Sequence, residues 1–402
     1  MKLITKRSHT SKVLGVVCMI RTGSIYEPAS KSGLAGLVQS LLLKGTEDKN
    51  AAELALALEK EGISLNTDVS EDYVTVTAAA MQDQLPELLS LMREVIFHPT
   101  FPPDEIEKEK KNAIASIYLR EDSKFHLVYK KLRSIMFEGS NYSRLPEGTP
   151  ETIMSITRED ITSFHEQFYQ PTNMILSIVG NIPTDEIREE ADRHFADVPV
   201  KVVEFIVSSK SKPPLPRREV IEKEVEQGFI VMGFHGIPMT DEDYPSLRLA
   251  STIMGEGMSS RLFTHLRDKQ GLAYAVGSLY LNLAKKGALL GYIGTRPESI
   301  ENARTRMYNL FRDLEAQPIP EDELERAKNY LVGNFLIAHQ TNIKKAFYLA
   351  WFDFLGLGVE FDEKYPSIIE AVKEDEVRSA ARQYLRTPCI VTLQPESKSK
   401  EK

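Results

Sequence analysis

Residues 103–112 read PDEIEKEKKN, and residues 321–329 read EDELERAKN, about 218 positions later. Both stretches put carboxylates at the start of a helical pattern, where they suit the positive end of the helix dipole. A second pair keeps nearly the same offset: ITREDITSFHEQFY at 156–169 matches VKEDEVRSAARQYL at 372–385, about 215 residues on. Two separate matches at one offset read as an internal duplication. The composition breaks where such a duplication requires it. SSKSKPPLPRREV at 208–220 sets three prolines among serines and basic residues, the signature of an exposed linker. The chain therefore divides into a first domain at 1–207, a linker at 208–219 and a second domain at 220–402.

Working outward, the same succession of patterns appears in both halves. An apolar strand opens each (VLGVVCMIRTGS; GFIVMGFHGIP), followed by a helix (GLAGLVQSLLL; YPSLRLASTIM). A further strand (DYVTVTAAAM; GALLGYIGT), a helix (DQLPELLSLMREVIF; ESIENARTRMYNLFRDLE), long helices and a closing strand (TNMILSIVGN; PCIVTLQP) complete it. Strands and helices segregated around one sheet give an α+β class: two duplicated domains, each a mostly antiparallel sheet with helices packed on one face.

The totals fit a protein of two large cores. At 402 residues, with 42% hydrophobic and 27% charged residues, the chain is long and apolar enough to bury both. A formal charge of -8 gives no electrostatic reason to expect nucleic acid or an anionic membrane surface. Two cysteines, Cys18 and Cys389, lie far apart without CxxC neighbours, which excludes a disulfide framework and fits a reducing compartment. KVLGVVCMI at 12–20 has the length of a signal-peptide apolar core but no small-residue cleavage site after it, so it reads as a buried strand. No apolar run is long enough for a membrane helix. A cytoplasmic location is the default expectation.

Chemistry is sought first on SKSGLAGLVQSLLLKGT, residues 30–46. Ser32 reads as a helix N-cap and Gly45 as the point where the chain turns away. Leu34, Leu37, Val38, Leu41 and Leu42 form one apolar stripe, and Gly36, Gln39 and Ser40 share a second face. The eight histidines include no pair at i, i+3 or i, i+4, and read as surface or satisfied core residues. Neither Ser-His-Asp nor Cys-His catalysis has a local signature.

Several longer stretches together resemble one family. TGSIYEP, SGLAGLVQSLLLKGT, FHPTFPPDEIEKEK, REDSKFHLVYKKL, MSITREDITSFHEQFYQPTNMILSIVGN and GEGMSSRLFTHLRDKQGLAYAVGS resemble the zinc peptidases of the pitrilysin, insulin-degrading enzyme and mitochondrial processing peptidase family. Active members carry His-x-x-Glu-His on the helix matching 36–40, two histidines holding zinc and the glutamate acting on water, with a further glutamate downstream. Laid on this sequence, the first histidine falls on Gly36, the base on Gln39, the second histidine on Ser40 and the downstream ligand on Ser116. Glycine and serine supply no zinc ligand of the usual kind, and glutamine takes no proton from water. Glu109, seven residues before Ser116, reads as part of a solvated helix face, although relatives carry an acid there too.

The second half keeps what the first has lost. In MGEGMSSRLFTHLRDKQGLAYAVGS, residues 254–278, Arg267 and Tyr274 stand at the spacing of a family pair that reaches an active site made by another domain. Both side chains are donors suited to a peptide oxygen or a developing oxyanion. Glu256 stands where relatives often have a third glycine. The resemblance thus implies a non-catalytic subunit of a heterodimeric zinc peptidase, with no catalysis and no metal of its own. Its partner would be a homologous zinc-bearing subunit, and its substrate a peptide enclosed between the two. The alternative is an inert structural or peptide-holding scaffold of the same fold. The short segment before KVLGVV suggests a first strand shortened or lost.

Overall fold

The computed structural model describes residues 1–9, 11–203, 205 and 216–396, so residues 208–215 of the expected linker lie outside the described residues. Among the described residues, ten strands form two sheets. The first holds β1 (Lys2–Arg7), β2 (Val13–Ile20), β3 (Ser64–Val69), β4 (Val74–Met81) and β5 (Met174–Gly180), in the order β1-β5-β2-β4-β3. The second holds β6 (Arg218–Lys223), β7 (Gly228–Gly236), β8 (Ala275–Asn282), β9 (Gly287–Thr295) and β10 (Cys389–Pro395), in the order β6-β10-β7-β9-β8. The two orders are one topology repeated. In each sheet the first strand runs parallel to the last, and every other pair is antiparallel. The duplication read from the helix starts is therefore a duplication of whole α+β sheets.

The first strand is neither lost nor shortened. β1 spans six residues, as many as β6, and pairs from Lys2 with Ile175 to Arg7 with Gly180. An edge strand needs only backbone pairing and one buried side chain, here Ile4, so the few residues before β2 suffice.

β2 and β7 explain how each sheet is covered. VLGVVCMI is apolar without alternation, which is the pattern of a strand buried on both faces. Leu14, Val16, Cys18 and Ile20 join the core beneath helices of the same half, including Leu34–Leu41, Leu85–Phe97 and Arg158–Phe168. Gly15, Val17 and Met19 point the other way. There lies helix Asn342–Phe354, from the second half of the sequence, packed on β2 and β5. A Cβ on Gly15 would stand 2.2 Å from the Ile343 nitrogen, so glycine permits this crossing. Asn342 Nδ2 donates to the Val13 carbonyl at 2.7 Å, and the Arg21 guanidinium lies 4.1 Å from the Phe354 ring centroid.

The reciprocal arrangement holds in the second sheet. Helix Lys124–Met136, from the first half, packs on β7 and β10, and a Cβ on Gly233 would meet Met136 Sδ at 2.4 Å. Both exchanged helices open on a hydroxyl cap, Ser123 accepting from the His126 amide and Thr341 from the Lys344 amide, each at 3.3 Å. Accordingly, the compact units are Met1–Tyr118, Arg144–Ser209 and Ile337–Asp362 in one, and Leu119–Ser143, Lys210–Leu336 and Glu363–Lys402 in the other. Each contains a segment from the opposite half of the sequence. No helix among the described residues is long and apolar enough to cross a membrane.

Candidate functional site

Helix Leu34–Leu41 keeps its apolar stripe, with Leu34, Leu37, Val38, Leu41 and Leu42 all buried. Its cap differs from the expectation. Ser32 makes no capping bond; Gly33, at φ 97°, occupies the N-cap position. The side chain that satisfies the helix start is Glu27, whose carboxyl accepts from the Gly33 amide at 2.9 Å and the Ala35 amide at 2.6 Å. A carboxyl two atoms wide reaches two orphan amides at once, which a serine hydroxyl cannot do. Burial pushes the Glu27 carboxyl up to about 8, against the pull of those two amides and the Arg144 charge. Arg144 also donates to the Glu27 backbone carbonyl at 3.0 Å.

The second face of this helix is committed to local bonds. Gln39 Nε2 donates to Thr67 Oγ1 at 2.5 Å, and Ser40 Oγ donates back to the Leu37 carbonyl at 3.1 Å. Gly36 is not held by a steric need, because a Cβ there meets only ordinary contacts, Pro146 O at 3.5 Å being the nearest. Ser116 is exposed on helix Pro103–Glu121 and makes no side-chain hydrogen bond among the described residues. On the same helix Glu109 departs from the solvated face expected of it. Its side chain is only 13% exposed and pairs with Lys44 at 3.2 Å, three residues beyond helix Leu34–Leu41. The Lys44 ammonium answers this carboxylate.

The donor set at Gly36, Gln39, Ser40 and Ser116 does not fit zinc, which takes imidazole, thiolate or carboxylate ligands. Among the described residues no group of three or more His, Cys, Asp or Glu is placed to hold a metal ion. Two histidines have other duties. His165 Nε2 lies 2.8 Å from the Ile96 carbonyl, and His339 Nε2 lies 2.7 Å from Asp362 Oδ1.

Arg267 and Tyr274 lie on one helix–turn–strand segment of the second unit. Helix Tyr244–Gly255 ends against β8, where a Cβ on Gly255 would stand 2.1 Å from the Ser278 nitrogen. Glu256, the departure from glycine, forms a two-pronged ion pair with Arg248 and accepts from the Ser251 hydroxyl. Arg261 then grips Glu323 with two bonds, at 2.9 and 2.7 Å. The next turn, Phe263–Asp268, is a π-helix, in which the Lys269 amide reaches back to the Thr264 carbonyl at 3.0 Å. Such turns are rare and concentrate at functional sites. Arg267 projects from it, exposed, with its guanidinium 5.1 Å from the Phe263 ring centroid. It has no ion pair or side-chain hydrogen bond among the described residues. Gly271, at φ 59°, reverses the chain into β8.

Tyr274 precedes β8. Its amide donates to the Gly294 carbonyl at 3.1 Å, and its side chain is 43% exposed. Partial burial raises its hydroxyl above the ordinary phenol range, so at neutral pH it is a proton donor. Sequence reasoning missed Glu27 and Lys44. It missed also a cleft of about 370 Å³ beside Glu256, Ser259, Glu323 and Tyr330, because a cleft is made by separated elements.

A chain whose two five-stranded sheets repeat one topology defines a duplicated α+β fold. The chain belongs to peptidase family M16. The family described as Insulinase (Peptidase family M16) matches residues 2–149, and the peptidase M16 inactive domain matches 155–331. A Bacillus subtilis protein named an uncharacterized zinc protease, YmxG, is 25% identical over 345 residues, covering 86% of this chain and 83% of its own. A Rickettsia felis protein also named an uncharacterized zinc protease is 27% identical, covering 80% and 77%. Among solved structures, a peptidase M16 inactive domain from Pseudomonas fluorescens superposes with TM-score 0.92 at 21% identity, covering 99% of this chain and 96% of its own. A protease from Helicobacter pylori superposes with TM-score 0.91 at 22% identity, covering 98% and 96%. At those identities the structural likeness establishes the fold alone.

Proposed function

We propose that this chain is the non-catalytic subunit of a heterodimeric zinc peptidase and lends Arg267 and Tyr274 to the active site of a zinc-bearing homologous partner. The observation that carries the reading is a contrast between two sites in one chain. Gly36, Gln39, Ser40 and Ser116 supply no zinc donor set, while Arg267 and Tyr274 remain exposed donors free of ion pairs. An arginine on a well-anchored π-helical turn and a phenol at a strand entry suit a peptide carbonyl, whose oxygen gains charge as water adds. In this role the chain contributes binding and charge stabilisation, and the partner contributes the metal and the base. A peptide lying extended would be held mainly through its backbone, giving broad sequence acceptance.

The test is co-expression with an intact His-x-x-Glu-His homologue encoded in the same genome, followed by cleavage of a quenched-fluorescence casein peptide. Arg267→Ala and Tyr274→Ala are each expected to lower kcat/KM by about 100-fold, the scale of losing one oxyanion donor. Undiminished cleavage by both variants would sink the subunit role and favour the scaffold alternative.

A further inference from the structure

The Gly294–Thr295 pair at the end of β9 touches the segment carrying Tyr274 in three ways. A Cβ on Gly294 would stand 2.3 Å from Tyr274 Cζ and 2.6 Å from its hydroxyl oxygen, so the ring rests on bare backbone. The Gly294 carbonyl accepts the Tyr274 amide at 3.1 Å. The hydroxyl of Thr295, itself only 1% exposed, donates to the Leu272 carbonyl at 2.6 Å, fixing the chain two residues ahead of the tyrosine. The register continues this contact, because Ala275 pairs with Gly294 as β8 begins.

The geometry of Gly294 does not require glycine for its own sake. Its φ lies outside the left-handed region, so an alanine there is acceptable to the backbone. What an alanine displaces is the tyrosine ring. The three nearest atoms to the missing Cβ, Cζ, the hydroxyl oxygen and Cε1, all belong to the far end of Tyr274, so it is that ring which must move. A site whose closest steric demands all come from one exposed aromatic residue is organised around that residue.

We infer that Gly294 and Thr295 are positioning residues for Tyr274, setting the direction in which its hydroxyl leaves the protein. Gly294 provides the flat seat under the ring, and Thr295 stops the preceding loop from sliding along the strand. This inference rests on the role assigned to Tyr274 above. It adds that the role depends on where the hydroxyl is held, and not only on its presence.

Two measurements test it. The first uses the chain alone, with 3-fluorotyrosine at position 274 and 19F NMR. Gly294→Ala is expected to shift or broaden that resonance, and Thr295→Val, which keeps the side-chain shape and removes the hydroxyl, is expected to shift it less. An unchanged resonance in a folded Gly294→Ala protein overturns the inference, and Thr295→Val decides the matter if the alanine variant does not fold. The second uses the complex with the zinc-bearing homologue and the casein peptide. Gly294→Ala is expected to lower kcat/KM about 10- to 100-fold, as misplacement by an ångström does. In a Tyr274→Phe background the same substitution is expected to have no further effect, since the hydroxyl it misdirects is already gone. Equal losses in both backgrounds overturn the inference and point to general damage. Full activity in Tyr274→Phe itself would instead overturn the role assigned to the Tyr274 hydroxyl, while the 19F result still decides the seat.

Discussion

Glu27 is the residue that caps helix Leu34–Leu41, and it does so against its own desolvation. The folded carboxyl keeps its proton up to about 8, whereas an ordinary glutamate in the unfolded chain releases it near 4.5. Its contribution to stability is therefore full below about pH 4.5 and is lost as the pH rises toward 8. His165 works in the opposite sense. Burial pulls it down to about 4 from 6.5, so its contribution is full above 6.5 and is lost as the pH falls toward 4. Glu27→Gln is expected to cost about 1 kcal/mol, because one of the two amides loses its acceptor. It is also expected to flatten the fall in stability between about pH 5 and about pH 8. Urea midpoints of both proteins across that range check this, and an unchanged slope would contradict the burial argument. Glu27 was not legible as a cap, because an acid six residues before the N-cap has no local signature and becomes a cap only when the intervening turns fold back.

At the scale of elements, the exchanged helices decide how each sheet is buried. Helix Asn342–Phe354 lies on the face of β2 that Gly15 leaves open, and the Ile343 backbone occupies the space of the absent Cβ. Gly15→Ala must push that helix off the sheet or bend the strand. It is expected to destabilise the fold by about 1–3 kcal/mol, the usual effect of overpacking, as measured by urea denaturation. A loss below about 0.5 kcal/mol would mean that the helix rides loosely on β2. The sequence announced part of this. The unbroken apolar run of β2 signals burial on both faces, and the repeated offsets signal two copies of one sheet. Which helix covers which sheet is a contact between distant parts of the chain, and periodicity carries no information about it. The first strand was underestimated for a related reason: a short edge strand has too few side chains to make a pattern, and its pairing with β5 is set by the backbone.

At the scale of the whole molecule, the proposed function divides the chemistry of a peptidase between two chains of one family fold. Gly36, Gln39, Ser40 and Ser116 were singled out only through resemblance, because serine and glutamine on a helix face have nothing unusual about them. Their hydrogen bonds, Gln39 to Thr67 and Ser40 to Leu37, show ordinary local packing in their place. Glu109 on helix Pro103–Glu121 is likewise met by the Lys44 ammonium. The most direct measurement is the zinc content of the purified chain, and of its complex with the zinc-bearing homologue, by inductively coupled plasma mass spectrometry after dialysis. The account predicts no zinc above background in the chain alone and one zinc per heterodimer. One tightly held zinc per isolated chain would contradict it.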